Sequence, residues 1–150
     1  RFETKGRVNG VWVVDDYAHH PTEIGVTLKA ALQTKPQRLI CVFQPHRYTR
    51  TQLLFNEFCA CFKGCDKLIV TDIYAASEDP IEGVNSKKLA EGIKKTSGVD
   101  VEYVPSMADI ENYLAANART GDLVMTIGAG DVYKVGEALV ADLQRSNENV

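Results

Sequence analysis

The chain has 150 residues, 45% hydrophobic and 25% charged, with 20 acidic against 17 basic side chains and a net charge of -3. That length suits one compact domain, able to bury roughly 68–70% of the surface its unfolded chain exposes. The acidic balance argues against a general nucleic-acid or anionic-membrane surface, and no apolar run approaches the roughly 20 residues that span a bilayer.

The opening Arg1-Phe2-Glu3-Thr4-Lys5 carries neither the apolar stretch of a secretory signal nor an initiator Met, and reads as the start of an excised fragment. Asn9-Gly10 suits the positive φ pair of a tight primed turn, so residues 1–8 and 11–14 are expected as a β-hairpin. Short β-branched runs follow at 11–14, 39–43, 67–71, 101–104 and 123–127, each succeeded by a segment with helical spacing. Pro21 fits a first helical position and Glu23 favours the positive helix end, with Ile24, Leu28, Ala31 and Leu32 forming the apolar face. Thr49 with Gln52 makes a capping box before Leu54, Phe55, Phe58 and Phe62. Ser86 opens a third helix carrying Leu89 and Ile93, which Gly98 ends. Ser106 with Asp109 caps a fourth, with Met107, Ile110 and Leu114 inward; Asp131 caps the last, over Val135, Leu139 and Leu143. Strands alternating with helices at this spacing predict an α/β fold: a mostly parallel sheet, helices on both faces and an N-terminal hairpin strand. The connection 73–85, with Asp79-Pro80 and Gly83, is long enough to suggest a functional rim.

Cys41, Cys59, Cys61 and Cys65 contain no C-x-x-C pair, which favours buried free thiols over a zinc or disulfide site and points to a reducing, cytoplasmic compartment.

In an open parallel sheet, ligands meet the C-terminal strand ends, and three conspicuous segments fall there. In the first, Asp15 to Glu23, the acids serve either as caps or as ligand contacts. Asp16 is placed to accept ribose hydroxyls, and Tyr17 and His19 to shape a small pocket. His19 and His20 alone make a poor metal site, because adjacent side chains diverge. In the second, Gln44 to Thr51, His46 and Arg47 precede a helix and Arg50 sits in its first turn. Cations there oppose the macrodipole, at about 0.3–1 kcal/mol when exposed. A bound carboxylate or phosphate, gripped together with free helix N–H groups, would compensate them; solvated turn residues are the alternative. The third, Thr126-Ile127-Gly128-Ala129-Gly130-Asp131, is a glycine turn open to a structural or a ligand-approach reading; it matches neither a dinucleotide fingerprint nor a P-loop. With no phosphate-cradling loop, no Ser–His–acid signature and no metal cluster, a lid or substrate module of a larger enzyme fits better than a self-sufficient ATPase. A stand-alone nucleotide- or anion-binding module and a flavodoxin-like interaction domain are the competing readings.

DDYAHHPTE at 15–23, FQPHRYTRT at 43–51, DIYAASEDPIEG at 72–83 and TIGAGDV at 126–132 occur together in the order seen in Mur ligases. The chain resembles their C-terminal domain over its whole length, 1–150. The resemblance implies a Rossmann-like fold within a three-domain enzyme that uses ATP and Mg2+ to join L-alanine to UDP-N-acetylmuramate in peptidoglycan precursor synthesis. Its partners would be those substrates and its own N-terminal and central domains, with the metal ligands outside these residues, no nucleic acid and no membrane insertion. Asp16 resembles the acid on the ATP ribose. Tyr17 and His19 look like part of the alanine pocket, and His46, Arg47 and Arg50 resemble residues that hold the alanine carboxylate and the closing phosphates. None of these acts as acid or base. Ala18 stands where many members have Gly; the related murein-peptide ligases, whose C-terminal domain is the alternative within the family, also carry Ala there. Ser77 replaces a frequent Gly of the long loop.

Overall fold

Asn9 and Gly10 take φ of 56° and 78°, and this turn folds β1 (Glu3–Val8) antiparallel onto β2 (Val11–Asp16). The structure is a computed structural model describing residues 2–148, so the expected hairpin start at residue 1 lies outside the described residues. β2, β3 (Arg38–Phe43), β4 (Lys67–Val70), β5 (Val101–Tyr103) and β6 (Asp122–Ile127) run parallel in a six-stranded sheet ordered β1-β2-β6-β3-β4-β5.

Alternation along β3 divides the core. Leu39, Cys41 and Phe43 meet Ile24 and Leu28 of α1 (Pro21–Gln33), Phe58 of α3 (Phe55–Ala60) and Leu89 and Ile93 of α4 (Ser86–Ser97). Ile40 and Val42 face Ile110 and Leu114 of α5 (Met107–Asn117) and Val135 and Leu139 of α6 (Tyr133–Glu148). Each such Leu, Ile, Val or Phe side chain, fully buried, contributes about 1.5–3 kcal/mol. The fold is therefore the expected mostly parallel sheet with helices on both faces. No described helix is long and apolar enough to cross a membrane. The four cysteines are free thiols, three buried and Cys61 half-buried.

Several local expectations are corrected. Leu32 is exposed, because a turn of about 100° per residue carries it to the edge of the stripe set by Ile24 and Leu28. Asn85, one residue before Ser86, caps α4 by accepting from the Lys88 N–H. The helix after β3 breaks at Leu54 into α2 (Tyr48–Leu53) and α3, and Thr49 does not cap it: Arg47 holds the cap position without a side-chain cap bond. The Asp131 side chain accepts from Gln44 Nε2 at 2.8 Å rather than capping α6. Ser106 does cap α5, accepting from the Asp109 N–H.

At the N-terminal strand ends, Arg38 of β3 donates Nε and Nη2 to both oxygens of buried Asp122 of β6, at 3.0 and 2.7 Å. This fork fixes the register of the two central strands. Their opposite ends carry the site.

Candidate functional site

Because β6 lies between β2 and β3, the loops after these three strands are neighbours. The chain leaves β2 and β3 toward α1 and α2 on one face, and leaves β6 toward α6 on the other. That divergence opens a crevice at the C-terminal strand ends.

β2 ends on Asp16, whose Oδ1 accepts from the Ala18 N–H at 2.8 Å and whose carbonyl accepts from the Gly128 N–H at 3.1 Å. Asp16 is only 3% exposed, yet it lines a cleft of about 380 Å³ with Tyr17, Thr22, Val26 and Thr27. His20 and Glu23 have local work. His20 Nδ1 accepts from the Thr22 N–H, and Glu23 Oε1 accepts from the His19 and His20 N–H groups, both at 3.1 Å, forming a capping box. The His19 amide, foremost, holds the Glu23 carboxyl below its ordinary range, against a smaller opposing effect of burial. Tyr17 faces outward, 59% exposed, and half-buried His19 donates from Nδ1 to the Tyr17 carbonyl at 3.1 Å.

Past β3, Gln44 is buried and ties two loops together. Its Nε2 donates to Asp131, and its Oε1 accepts from the Val132 N–H at 3.2 Å. The glycine turn is explained by this contact. A Cβ on Gly128 would lie 2.9 Å from the Gln44 carbonyl, and one on Gly130 would lie 2.6 Å from Gln44 Oε1 and 2.7 Å from the Tyr74 ring. The structural reading of that turn is sufficient.

His46 sits half-buried between aromatic neighbours: stacked on Tyr74 with centroids 5.6 Å apart and 13° between planes, and 6.0 Å from His19, which is 5.7 Å from Tyr17. Arg50 Nη1 lies 3.2 Å from His46 Nδ1. A guanidinium only donates, so Nδ1 is the acceptor and His46 is neutral with its proton on Nε2. Burial first, and then the Arg50, His19 and Arg47 charges, press its pKa below the ordinary 6.5. Arg47 takes φ 75° and ψ 143°, a combination that side-chain-bearing residues avoid. Arg47 and Arg50 border a second cleft of about 390 Å³ with His20, Thr49 and the apolar Leu53 and Leu54.

The expectation that free helix N–H groups receive an anion here is corrected. Glu78, from the long loop, accepts at Oε1 from the Tyr48 and Thr49 N–H groups at 2.6 and 3.1 Å, and at Oε2 from Thr49 Oγ1 at 2.5 Å. Those contacts, led by the Thr49 hydroxyl, hold its carboxyl below the ordinary range.

Tyr17, His19, His46 and Arg50 thus form one connected row, with Arg47 beside it and Asp16 in the adjoining cleft. Gln44, Tyr74 and Glu78 went unassigned in the sequence. Their only signal was membership of the 44–51 segment or the long loop. Ala76 and Ser77 take φ of 52° and 73°, a left-handed turn that a glycine would adopt without strain. Among the described residues, no group of three or more His, Cys, Asp or Glu comes together to hold a metal.

Residues 1–130 match the family described as Mur ligase, glutamate ligase domain. The chain is 53% identical over 149 residues to UDP-N-acetylmuramate--L-alanine ligase of Syntrophus aciditrophicus, covering 99% of this chain and 31% of that protein. It is also 53% identical over 144 residues to the ligase of the same name from Acetivibrio thermocellus, covering 96% and 30%. The chain thus spans under a third of the length of these relatives. Among solved structures, UDP-N-acetylmuramate-alanine ligase of Thermotoga maritima aligns with TM-score 0.73 at 24% identity, over 92% of this chain and 28% of that one. A murein peptide ligase of Psychrobacter arcticus aligns at 0.74 and 23%, over 94% and 29%. At these identities the two structures establish the fold.

Proposed function

Because the chain belongs to the Mur ligase family through its glutamate ligase domain, we propose that it is the C-terminal, closing domain of a cytoplasmic ATP-dependent ligase joining L-alanine to UDP-N-acetylmuramate. The observation that carries this is the cluster at the end of β3: Arg50 donating to a neutral His46, with Arg47 beside it in a glycine-type backbone conformation. Strain of this kind costs on the order of 1–3 kcal/mol and is retained where a side chain has a task. The 53% identity to ligases named for L-alanine supports that substrate over a murein peptide, a choice that the two similar structures leave even.

In this reading the lactyl carboxylate of the sugar attacks the γ-phosphate of ATP, giving an acyl phosphate and ADP. The alanine amine then adds to the acyl carbon, and the tetrahedral adduct collapses to the amide with loss of phosphate. Arg47 and Arg50 hold the alanine carboxylate and the phosphate oxygens, two planar forks suited to paired oxygens. His46 contributes as a donor from Nε2–H and not as a base, since its Nδ1 lone pair is engaged by Arg50. Tyr17 and His19 wall the alanine pocket, and Asp16 accepts the ribose hydroxyls. Any metal carried by the nucleotide would find its protein ligands outside these residues, in the central domain. Closure excludes water from the acyl phosphate and sets fixed positive charge against developing negative charge.

Arg47→Ala and Arg50→Ala in the full-length enzyme test this directly. Turnover is expected to fall about 10²–10³-fold, the usual effect of removing one donor aimed at transition-state charge, while the thermal midpoint changes little. Asp16→Asn in the same assays should raise the ATP requirement more than the alanine requirement. Near-normal turnover in both arginine variants would sink the anion site.

A further inference from the structure

The 73–85 loop delivers a carboxylate to the arginine segment from about thirty positions further along the chain. Resting on the proposed role of Arg47 and Arg50 as anion-gripping groups, we propose that Glu78 is the positioning residue that sets both arginines in place. Two segments are joined here. Arg47 N–H donates to the Tyr74 carbonyl at 2.8 Å and Tyr74 N–H to the Pro45 carbonyl at 2.8 Å, a parallel bridge that lays the loop along residues 45–47. The left-handed Ala76 and Ser77 then turn the chain back, bringing Glu78 over the start of α2.

There its two oxygens take the Tyr48 and Thr49 N–H groups and the Thr49 hydroxyl. Arg47 supplies no side-chain cap of its own, so the helix start is fixed from outside. Fixing Tyr48 and Thr49 sets the backbone on the C-terminal side of Arg47, while the Tyr74 carbonyl holds its N–H on the other side. The strained Arg47 conformation is thereby over-determined from both ends. The same anchoring sets the phase of α2 and hence the direction of Arg50, whose Nη1 reaches the His46 carbonyl at 3.3 Å as well as Nδ1. Arg47 Nη1 lies 3.9 Å from Glu78 Oε2, too far for a hydrogen bond. Glu78 therefore balances charge beside Arg47 without using its donors, which border the cleft shared with Arg50. A carboxylate that only neutralised Arg47 would pair with it closely; this one spends its oxygens on the backbone.

The test compares the full-length enzyme with Glu78→Gln, Arg47→Ala, Arg50→Ala and the double variant of Glu78→Gln with Arg47→Ala. It measures kcat and KM for the amino-acid substrate and for ATP, with thermal midpoints alongside. Glu78→Gln should lower kcat/KM for the amino acid about 10–100-fold, the scale of loss when reacting groups are displaced by about 1 Å, with KM for ATP little changed. The double variant should lose clearly less than the product of the two single losses, because the part of Glu78's effect that acts through Arg47 is already gone and only the part through Arg50 remains. Should Glu78→Gln fail to fold, Thr49→Ala removes one Glu78 contact and should show the same pattern more weakly. Normal turnover in Glu78→Gln with Arg47→Ala impaired, or losses that multiply in the double variant, overturns the positioning role and leaves the anion site standing. Normal turnover in both Arg47→Ala and Arg50→Ala instead overturns the anion site, and Glu78's role with it.

Discussion

His46 shows how one side chain acquires a definite protonation state. Its lone pair at Nδ1 is engaged by a permanent cation, and burial withholds the water that would stabilise an imidazolium. Because its folded pKa lies below the ordinary 6.5, the stability linked to its neutral form is fully present above that value. It is lost as the pH falls from 6.5 through the folded value. Glu23 and Glu78, also depressed, release their contributions only below the ordinary carboxylate value of 4.5, so the windows separate. The thermal midpoint of the wild-type chain should therefore drop between pH 7.5 and 5.5 by more than that of His46→Gln. Imidazole nitrogen NMR should show the proton on Nε2 at neutral pH; a proton on Nδ1, or a pKa above 6.5, would rule out the Arg50 contact as described. His46 and the arginines were legible in the sequence because they break the helix-charge rule within a few residues. Glu78 was not, because the residues that give it meaning, Tyr48 and Thr49, lie far outside its local sequence.

Among the elements, the helix starts separate local from distant control. Glu23 with His20, and Ser106 with Asp109, are caps drawn from adjacent residues, and the α5 cap was readable from its spacing. α2 has the same kind of signal in Thr49 and Gln52, yet the tertiary partner Glu78 displaced it. A carboxylate accepting three hydrogen bonds outcompetes a neutral local box. The Arg38–Asp122 fork is another distant pair, joining β3 to β6 where Asp122 also accepts from the Arg119 N–H at 2.9 Å. Arg38→Ala should destabilise the domain by about 3 kcal/mol, since it leaves a buried carboxylate without its counter-charge. Chemical denaturation should show a lower midpoint with an unchanged slope. A loss under about 0.5 kcal/mol, as for an exposed pair, would mean that Asp122 is solvated.

At the scale of the whole molecule, the sheet has a core on each face and the site lies along one edge of that framework. The residues that would handle ATP and amino acid sit on loops at its C-terminal rim, and the sequence has no phosphate-cradling motif. The isolated 150-residue chain should therefore unfold in one cooperative transition and release no phosphate from ATP. Differential calorimetry and a coupled phosphate assay measure these two properties. Turnover surviving a contaminant control would refute the proposed division of labour between this domain and the rest of a longer enzyme.

Local physics wrote much of this into the sequence. Apolar runs alternating with helical spacing set the strands, the helices and the layered sheet, Asn9-Gly10 set the hairpin, and misplaced positive charge marked the segment after β3. Each depends on residues within a few positions of one another, where periodicity and turn chemistry operate. Tertiary structure decided what spans the chain. Insertion of β6 between β2 and β3 made neighbours of three segments lying up to about 110 residues apart. The long loop's return placed Tyr74 against His46 and Glu78 at the start of α2. Strand order and long-range capping depend on which surfaces meet when the core closes, and no local period encodes that choice.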